Sequence, residues 1–232
     1  MIFTFTGIKI LFLTAKKLLR KFLILFFVAS PLVLHSANKY IHANVSWNSP
    51  NVWYDAAVGG NVTTPPGVTD DVYTNGFRLT VDGNFSCNNV ICSNTAGAIT
   101  VNAPYTFTVF GTLSCPGGSW GTDLIGGNGT IIMKKTSGTI IQNWANQSTF
   151  EQLIIDPGAG NTVSLDNVNM AWVWCSPTGK ITIASGTLTM AGGGNNVGMG
   201  SWTLETGTLE ISEGATLQMG GTSTLGSPSG GT

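Results

Sequence analysis

Charged residues are scarce in this chain of 232 residues, which holds 10 Lys and Arg, 11 Asp and Glu and only two His. Five of the basic residues and all 11 acidic residues follow position 37, so this part has a formal charge of 5 − 11 = −6. Its few basic residues are scattered, which argues against a nucleic-acid partner. His42 is its one histidine, and no two Cys-x-x-Cys pairs occur, so we expect no metal site and no cofactor.

The sequence also lacks two common catalytic motifs: there is no HExxH and no P-loop segment. Paired carboxylates could cleave glycosides, or eliminate polysaccharides with calcium and a base, and the candidates are Asp70, Asp71, Asp82 and Arg78. Neighbouring residues on a strand face opposite sides, and turn aspartates commonly accept backbone N–H bonds. We therefore expect turn-capping aspartates and no catalytic residues.

The N-terminal segment combines a cluster of basic residues with a long apolar run. Four basic residues precede an apolar run at 22–34, and the small residues Ser36 and Ala37 follow: Lys16, Lys17, Arg20 and Lys21. This pattern predicts a signal peptide over 1–37, cleaved near Ala37, and a protein that is secreted or at the cell surface. The run is shorter than the roughly 20 residues of a membrane span, so no stable span is expected after cleavage. An uncleaved N-terminal anchor is the alternative.

Glycines recur at a fixed distance in the C-terminal third. Gly158, Gly186 and Gly214 stand 28 residues apart, each shortly after a β-type run. Such a period is typical of repeat architectures, in which each unit buries its apolar face against its neighbours. Because the units consist of short alternating strands and turn residues, the pattern predicts an all-β fold, a right-handed parallel β-helix. We expect a cap over 38–70 and the solenoid over 71–232, truncated at its C-terminal end.

A second marker within the repeat is glycine followed by Thr or Ala and alternating apolar residues, as in Gly186-Thr187-Leu188. Glycine reaches positive φ without steric cost, which lets the chain turn a corner between strands. We expect the Thr to begin a strand and the residue after it to point into the core.

The region after position 46 resembles a known opening. The resemblance rests on two tryptophans and several short motifs: Trp47, Trp53, Pro65-Pro66-Gly67, Asp70-Asp71-Val72, Asn75-Gly76 and Leu79-Thr80-Val81-Asp82. These resemble the start of secreted β-helical proteins of Bacteroidota type, and they are similar to the glycine-rich G-eight domain of extracellular proteins. The resemblance implies a tryptophan-containing cap on a right-handed parallel β-helix and an exported protein.

The cysteines all follow the predicted signal peptide: Cys87, Cys92, Cys115 and Cys175. An even number in an oxidising compartment permits disulfides, and four cysteines allow three pairings. A bond from Cys87 or Cys92 to Cys115 would join neighbouring turns. Buried free thiols stacked inside the solenoid are the alternative.

Trp172 and Trp174 lie two residues apart, so on a strand they share a face. An exposed pair would form a platform for sugar rings, whereas packing in the core or cap is the alternative. We expect an exported cell-surface or extracellular protein with an adhesive or structural role, without catalysis, and with glycans or other cell-surface components as partners. The alternative is a carbohydrate-active enzyme, a polysaccharide lyase or glycosidase, or a glycan-binding module on the same scaffold.

Overall fold

The computed structural model describes residues 36–92, 99–115, 125–143, 147–165, 172–190, 202–203, 208–219 and 225–226. These residues all belong to one compact unit, 36–232. Every regular element among them is a β-strand, and none of them forms a helix long and apolar enough to cross a membrane. The predicted signal peptide over 1–37 lies outside the described residues, apart from Ser36 and Ala37.

The strands form three sheets in which neighbouring strands run parallel. Sheet 1 contains β1 (Asn38–Tyr40), β3 (Asp71–Tyr73), β6 (Val90–Ile91), β9 (Leu113–Cys115), β12 (Ser137–Asn143), β14 (Thr162–Leu165), β16 (Thr187–Met190) and β19 (Thr216–Met219). Sheet 2 contains β2 (Val45–Ser46), β4 (Leu79–Val81), β7 (Ile99–Val101) and β10 (Ile125–Gly126). Sheet 3 contains β5 (Phe85–Cys87), β8 (Thr106–Val109), β11 (Thr130–Met133), β13 (Gln147–Ile155), β15 (Trp172–Ile183), β17 (Trp202–Thr203), β18 (Thr208–Ile211) and β20 (Leu225–Gly226). The all-β prediction and its parallel pairing are confirmed.

The chain visits these sheets in a regular order. From β3 to β11 it passes through sheets 1, 2 and 3 in turn, three times over. From β12 onward the described strands belong to sheets 1 and 3 only. The 28-residue spacing is the register of sheet 3, where Leu153 pairs with Ile181 and Ile181 with Leu209. The sequence repeat therefore reflects strands that lie side by side.

The core consists of rows of apolar side chains that run across the paired strands. In one row of sheet 3 the register aligns six residues of successive strands: Cys87, Val109, Met133, Ile155, Ile183 and Ile211. The first five are 0% exposed, whereas Ile211 is 47% exposed. Strand alternation sends every second residue to this side, which is why short apolar–polar alternation appears throughout the sequence.

The segment before β3 is largely irregular, but it supplies the first strand of sheet 1 and of sheet 2. Trp47 and Trp53 are each 1% exposed, and the Trp53 indole N–H donates to the carbonyl oxygen of Trp47 at 3.0 Å. The Trp47 ring stacks on Phe85 with centroids 5.0 Å apart and meets Phe107 edge-on at 5.4 Å. Both indoles therefore belong to the buried core.

The repeated glycines share one backbone conformation. Gly158, Gly186 and Gly214 have φ values of 92°, 65° and 76°. A Cβ on Gly186 would lie 2.6 Å from the carbonyl oxygen of Gly158 in the preceding turn. This distance is too short for a carbon–oxygen contact, so no side chain fits at position 186. After Gly186, the Leu188 side chain is 0% exposed, as the Gly-Thr-Leu pattern predicts.

Candidate functional site

Asp70 is a structural aspartate. Its Oδ1 accepts a hydrogen bond from the Ala37 N–H at 3.0 Å, and its Oδ2 accepts one from the Gly67 N–H at 2.9 Å. Both oxygens are thus engaged by backbone donors, which is the turn-capping role that the sequence favours. Ala37 also accepts from the Asp71 N–H at 2.9 Å, so cleavage after Ala37 would remove two hydrogen bonds to this turn.

Asp71 begins a chain of polar contacts that crosses successive turns. Its Oδ1 accepts from Asn88 Nδ2 at 2.8 Å, from the Asn89 N–H at 3.1 Å and from Asn89 Nδ2 at 2.9 Å. Asn89 Oδ1 in turn accepts from the Thr112 N–H at 2.7 Å, and Lys135 Nζ donates to the Thr112 hydroxyl at 2.6 Å. These contacts hold neighbouring turns in register.

The other acid–base candidates do not join this chain of contacts. Asp82 follows β4 of sheet 2, whereas Asp71 belongs to β3 of sheet 1. The Arg78 side chain is exposed, and its backbone N–H donates to Asn44 Oδ1 at 2.8 Å. Within the described ranges, no three His, Cys, Asp or Glu residues are grouped so that they could hold a metal ion.

A second polar cluster lies where the chain leaves sheet 3. Lys134 Nζ is 2.9 Å from Asp156 Oδ2, and the Ser185 hydroxyl donates to Asp156 Oδ1 at 2.5 Å. The Ser185 oxygen also accepts from the Gly158 N–H at 2.9 Å. The Ser185 hydrogen bond, followed by that of Lys134, holds the pKa of Asp156 below its ordinary value of 3.8. With its hydrogen donated to a carboxylate and its oxygen accepting a backbone N–H, Ser185 is tied into the turn rather than activated as a nucleophile.

This cluster makes a pH-dependent contribution to stability. Because the folded-state pKa of Asp156 lies below 3.8, its carboxylate stabilises the fold at pH values above 3.8 and loses this contribution as the pH falls through the folded value. We expect Asp156→Asn to lower the urea midpoint at pH 7, and we expect this deficit to shrink as the pH falls through the folded-state pKa of Asp156. Ser185→Ala removes the largest cause of the shift and should show part of the same effect. An Asp156→Asn deficit that is unchanged at low pH would contradict this assignment.

A row of aromatic side chains lies on the outer face of sheet 1, at its N-terminal end. Tyr54 pairs antiparallel with Tyr40, and Tyr40 pairs with Tyr73 of β3. The rings of Tyr40 and Tyr73 stack with centroids 4.6 Å apart, and the His42 ring stacks on Tyr54 at 4.0 Å. We call these four residues the tyrosine row; all four side chains are half-buried. Burial, followed by the neighbouring Tyr40 and Asp71, raises the pKa of Tyr73.

The sequence gives no signal for the tyrosine row. Tyr40 and Tyr73 are 33 residues apart, and only the register of β1 with β3 brings them together. The predicted pair, Trp172 and Trp174, lies on β15, where these residues align with Gln147 and Thr149 of β13. The side chains of both tryptophans are outside the described part of the structure, so the sugar platform proposed for them stays a prediction.

Two of the four cysteines are described with their side chains. Cys87 and Cys92 are buried free thiols, and burial is the main reason why the pKa of Cys87 is raised well above its ordinary value. The Cys92 N–H donates to the Ser114 carbonyl at 2.8 Å, so its backbone lies beside the strand that contains Cys115. Because both thiols are free, the predicted bonds from Cys87 or Cys92 to Cys115 are not formed, and these two residues follow the alternative of buried free thiols. The side chains of Cys115 and Cys175 are outside the described residues.

Comparisons of the chain with protein-family models, with curated proteins and with solved structures give no match. The resemblance to secreted β-helical proteins and to the G-eight domain therefore stays a prediction, and any proposal for the function depends on the geometry of the described residues.

Proposed function

We propose that the chain is an exported cell-surface or extracellular protein with an adhesive or structural role, built as a right-handed parallel β-helix. The observation that supports this best is the stacking of strands: one row of sheet 3 continues through six strands, from Cys87 to Ile211, and its first five residues are fully buried. A stack of this kind is a rigid rod with long side faces, which suits a role in spanning distance and presenting a surface.

The use of the polar side chains supports a role without catalysis. An acid–base site needs two titratable groups that are directed at one substrate position. Both oxygens of Asp70 accept backbone hydrogen bonds, and Asp71 Oδ1 is bonded by Asn88 and Asn89. Asp156 is bonded to Lys134 and Ser185. Each of these carboxylates therefore fastens one turn to another.

Glycan binding is the second candidate function, and the tyrosine row favours it. Aromatic rings next to hydrogen-bonding groups are what a sugar-binding surface requires. Asp71 occupies the same outer face two residues before Tyr73, and Val62, next to Tyr54, is 49% exposed. A carbohydrate-active enzyme on the same scaffold would in addition need an acid and a base beside these rings.

The proposal is tested by locating the full-length chain and by assaying it on glycans. We expect the chain to be accessible to an impermeant biotin reagent on intact cells. We also expect the purified chain to release no new reducing ends from polysaccharides, with or without calcium. If a glycan array reports binding, Tyr73→Ala should abolish it when the tyrosine row is the site, and Thr108→Ala on sheet 3 is the control. A cytoplasmic chain, or new reducing ends, would overturn the proposal.

A further inference from the structure

The outer face of sheet 1 carries a regular set of hydroxyl groups in its C-terminal half. The register of β12, β14, β16 and β19 aligns two rows of Ser and Thr, which we call the hydroxyl array: Ser137, Thr162, Thr187 and Thr216 in the first row, and Thr139, Ser164 and Thr189 in the second. Between the two rows lie the buried residues Val163 and Leu188, which are 1% and 0% exposed. Because alternate residues of a strand face opposite sides, the array residues face outward.

The array is regular in both directions on β14 and β16. Neighbouring strands of a sheet lie about 4.8 Å apart, and residues two apart on one strand are separated by about 6.6 Å. The one register shift between β12 and β14 falls after Thr139, beyond the array. Thr139 Oγ1 lies 3.5 Å from Ser164 Oγ, as expected for side chains that stand side by side on adjacent strands. The hydroxyls of β14 and β16 therefore form an approximately rectangular grid, whereas on β12 the Gly138 φ of 73° changes the spacing between Ser137 and Thr139.

The array is also stiff and partly apolar. Threonine is β-branched, so its χ1 angle is restricted, and each threonine places a methyl group next to its hydroxyl. Ser137, Thr162 and Thr216 are exposed, while the other four side chains are half-buried. Little side-chain entropy is left to lose when such a surface binds a rigid partner.

Charge distinguishes this face from the outer face of sheet 3. The four strands of the array contain no charged residue, and at the β12 edge the Lys135 ammonium donates to the carbonyl oxygen of Thr139 at 3.0 Å. On sheet 3 the corresponding outward positions include Lys180 and Glu210, which form an ion pair, and the apolar Ile132 and Ile154. Outward hydroxyl side chains occur on both sheets. On sheet 1 they continue through four strands in the first row and through three in the second, which ends at Gln218 of β19.

We propose that the hydroxyl array binds the surface of ice. Its ligand would be a flat and neutral lattice of water molecules, whose oxygen atoms repeat on rectangular grids of similar dimensions. The hydroxyls would replace water molecules in that lattice, and the methyl groups would favour ordered water between them. A soluble glycan fits this face less well, because none of the seven array residues offers an aromatic ring for stacking. The inference does not depend on export or on adhesion to glycans.

The test measures partition of the purified full-length chain into slowly grown ice, together with inhibition of ice recrystallisation. A co-dissolved inert protein gives the background. We expect the wild type to be enriched in the ice fraction and to keep the crystals small. Thr162→Lys changes an exposed residue in the first row, and Thr187→Lys changes its half-buried neighbour on the next strand. Both variants should lose enrichment and inhibition. A lysine there introduces a charge and a long side chain that prevent close contact with a flat lattice.

Thr108→Lys is the matched control, because Thr108 is a half-buried, outward-facing threonine on a strand of sheet 3. It should leave both readouts at the wild-type level. Circular dichroism and the melting temperature confirm that each variant is folded, and the exposed Thr162 keeps the test valid if Thr187→Lys unfolds. Exclusion of the wild type from ice, or equal loss in Thr108→Lys and Thr162→Lys, would overturn the proposal. Retention on cellulose or chitin without ice binding would also overturn it and assign the array to a polysaccharide surface.

Discussion

Replacing Trp47 with alanine is expected to lower the free energy of unfolding by about 3–5 kcal/mol, the cost typical of removing a large aromatic side chain from a packed core. The ring is 1% exposed and contacts three other aromatic rings, those of Trp53, Phe85 and Phe107. Its loss would leave a cavity between the first strands and those of sheet 3, because Phe85 and Phe107 are held by the pairing of β5 with β8 and cannot move in to fill it. Urea unfolding followed by circular dichroism measures the change.

Two further variants test the indole hydrogen bond of Trp53 and the effect of truncating an exposed side chain. Trp53→Phe keeps most of the ring but removes the indole N–H that donates to Trp47, so we expect a smaller loss of about 1–3 kcal/mol from the unsatisfied buried carbonyl. Val58→Ala is the surface control, because Val58 is 90% exposed and its truncation should change stability by less than about 0.5 kcal/mol. Equal effects of Trp47→Ala and Val58→Ala would show that the indoles do not contribute to the core.

The strands and corners could be predicted from the sequence because their causes are local. Alternation of apolar and polar residues fixes which side of a strand is buried, and glycine marks the corners that need positive φ. Gly158, Gly186 and Gly214 each have positive φ and each follow an alternating strand. Their 28-residue spacing reappears as the register of sheet 3. A period in the sequence then translates directly into neighbours in space.

The contacts across turns could not be predicted, because the number of residues in a turn varies. Phe85 pairs with Phe107 at an offset of 107 − 85 = 22, while Ile155 pairs with Ile183 at 183 − 155 = 28. The alignment of Tyr40 with Tyr73 cannot be read from the sequence, because it requires knowing the number of residues between the paired strands β1 and β3. The same holds for the hydroxyl array, where Thr187 pairs with Thr162 at an offset of 25 and with Thr216 at 29.

Asparagines illustrate the same limit. Asn44, Asn84 and Asn128 each head an Asn-x-Ser/Thr sequence, which composition alone explains. In the structure each amide oxygen accepts a backbone N–H from another turn: Asn44 from Arg78 at 2.8 Å, Asn84 from Thr106 at 2.9 Å and Asn128 from Ala103 at 2.8 Å. Their role is therefore to cap loops, and it depends on a partner 22 to 34 residues away.

The second large effect is expected inside the stacked row of sheet 3. Ile155→Ala should lower the free energy of unfolding by about 2–5 kcal/mol, because Ile155 is 0% exposed and lies between Met133 and Ile183, which are also fully buried. Truncation there removes apolar contacts on both sides at once. The urea midpoint and hydrogen exchange of the amides of β13 measure the loss.

Ile211 provides an internal control of the same residue type in the same row. It pairs with Ile183 but is 47% exposed, so Ile211→Ala should cost less than about 1 kcal/mol. The difference between the two substitutions measures what a neighbour on each side contributes, which is the coupling that holds a stack of turns together. If both substitutions cost the same, the row would not act as a continuous core, and the proposal of an adhesive or structural role would lose its main support.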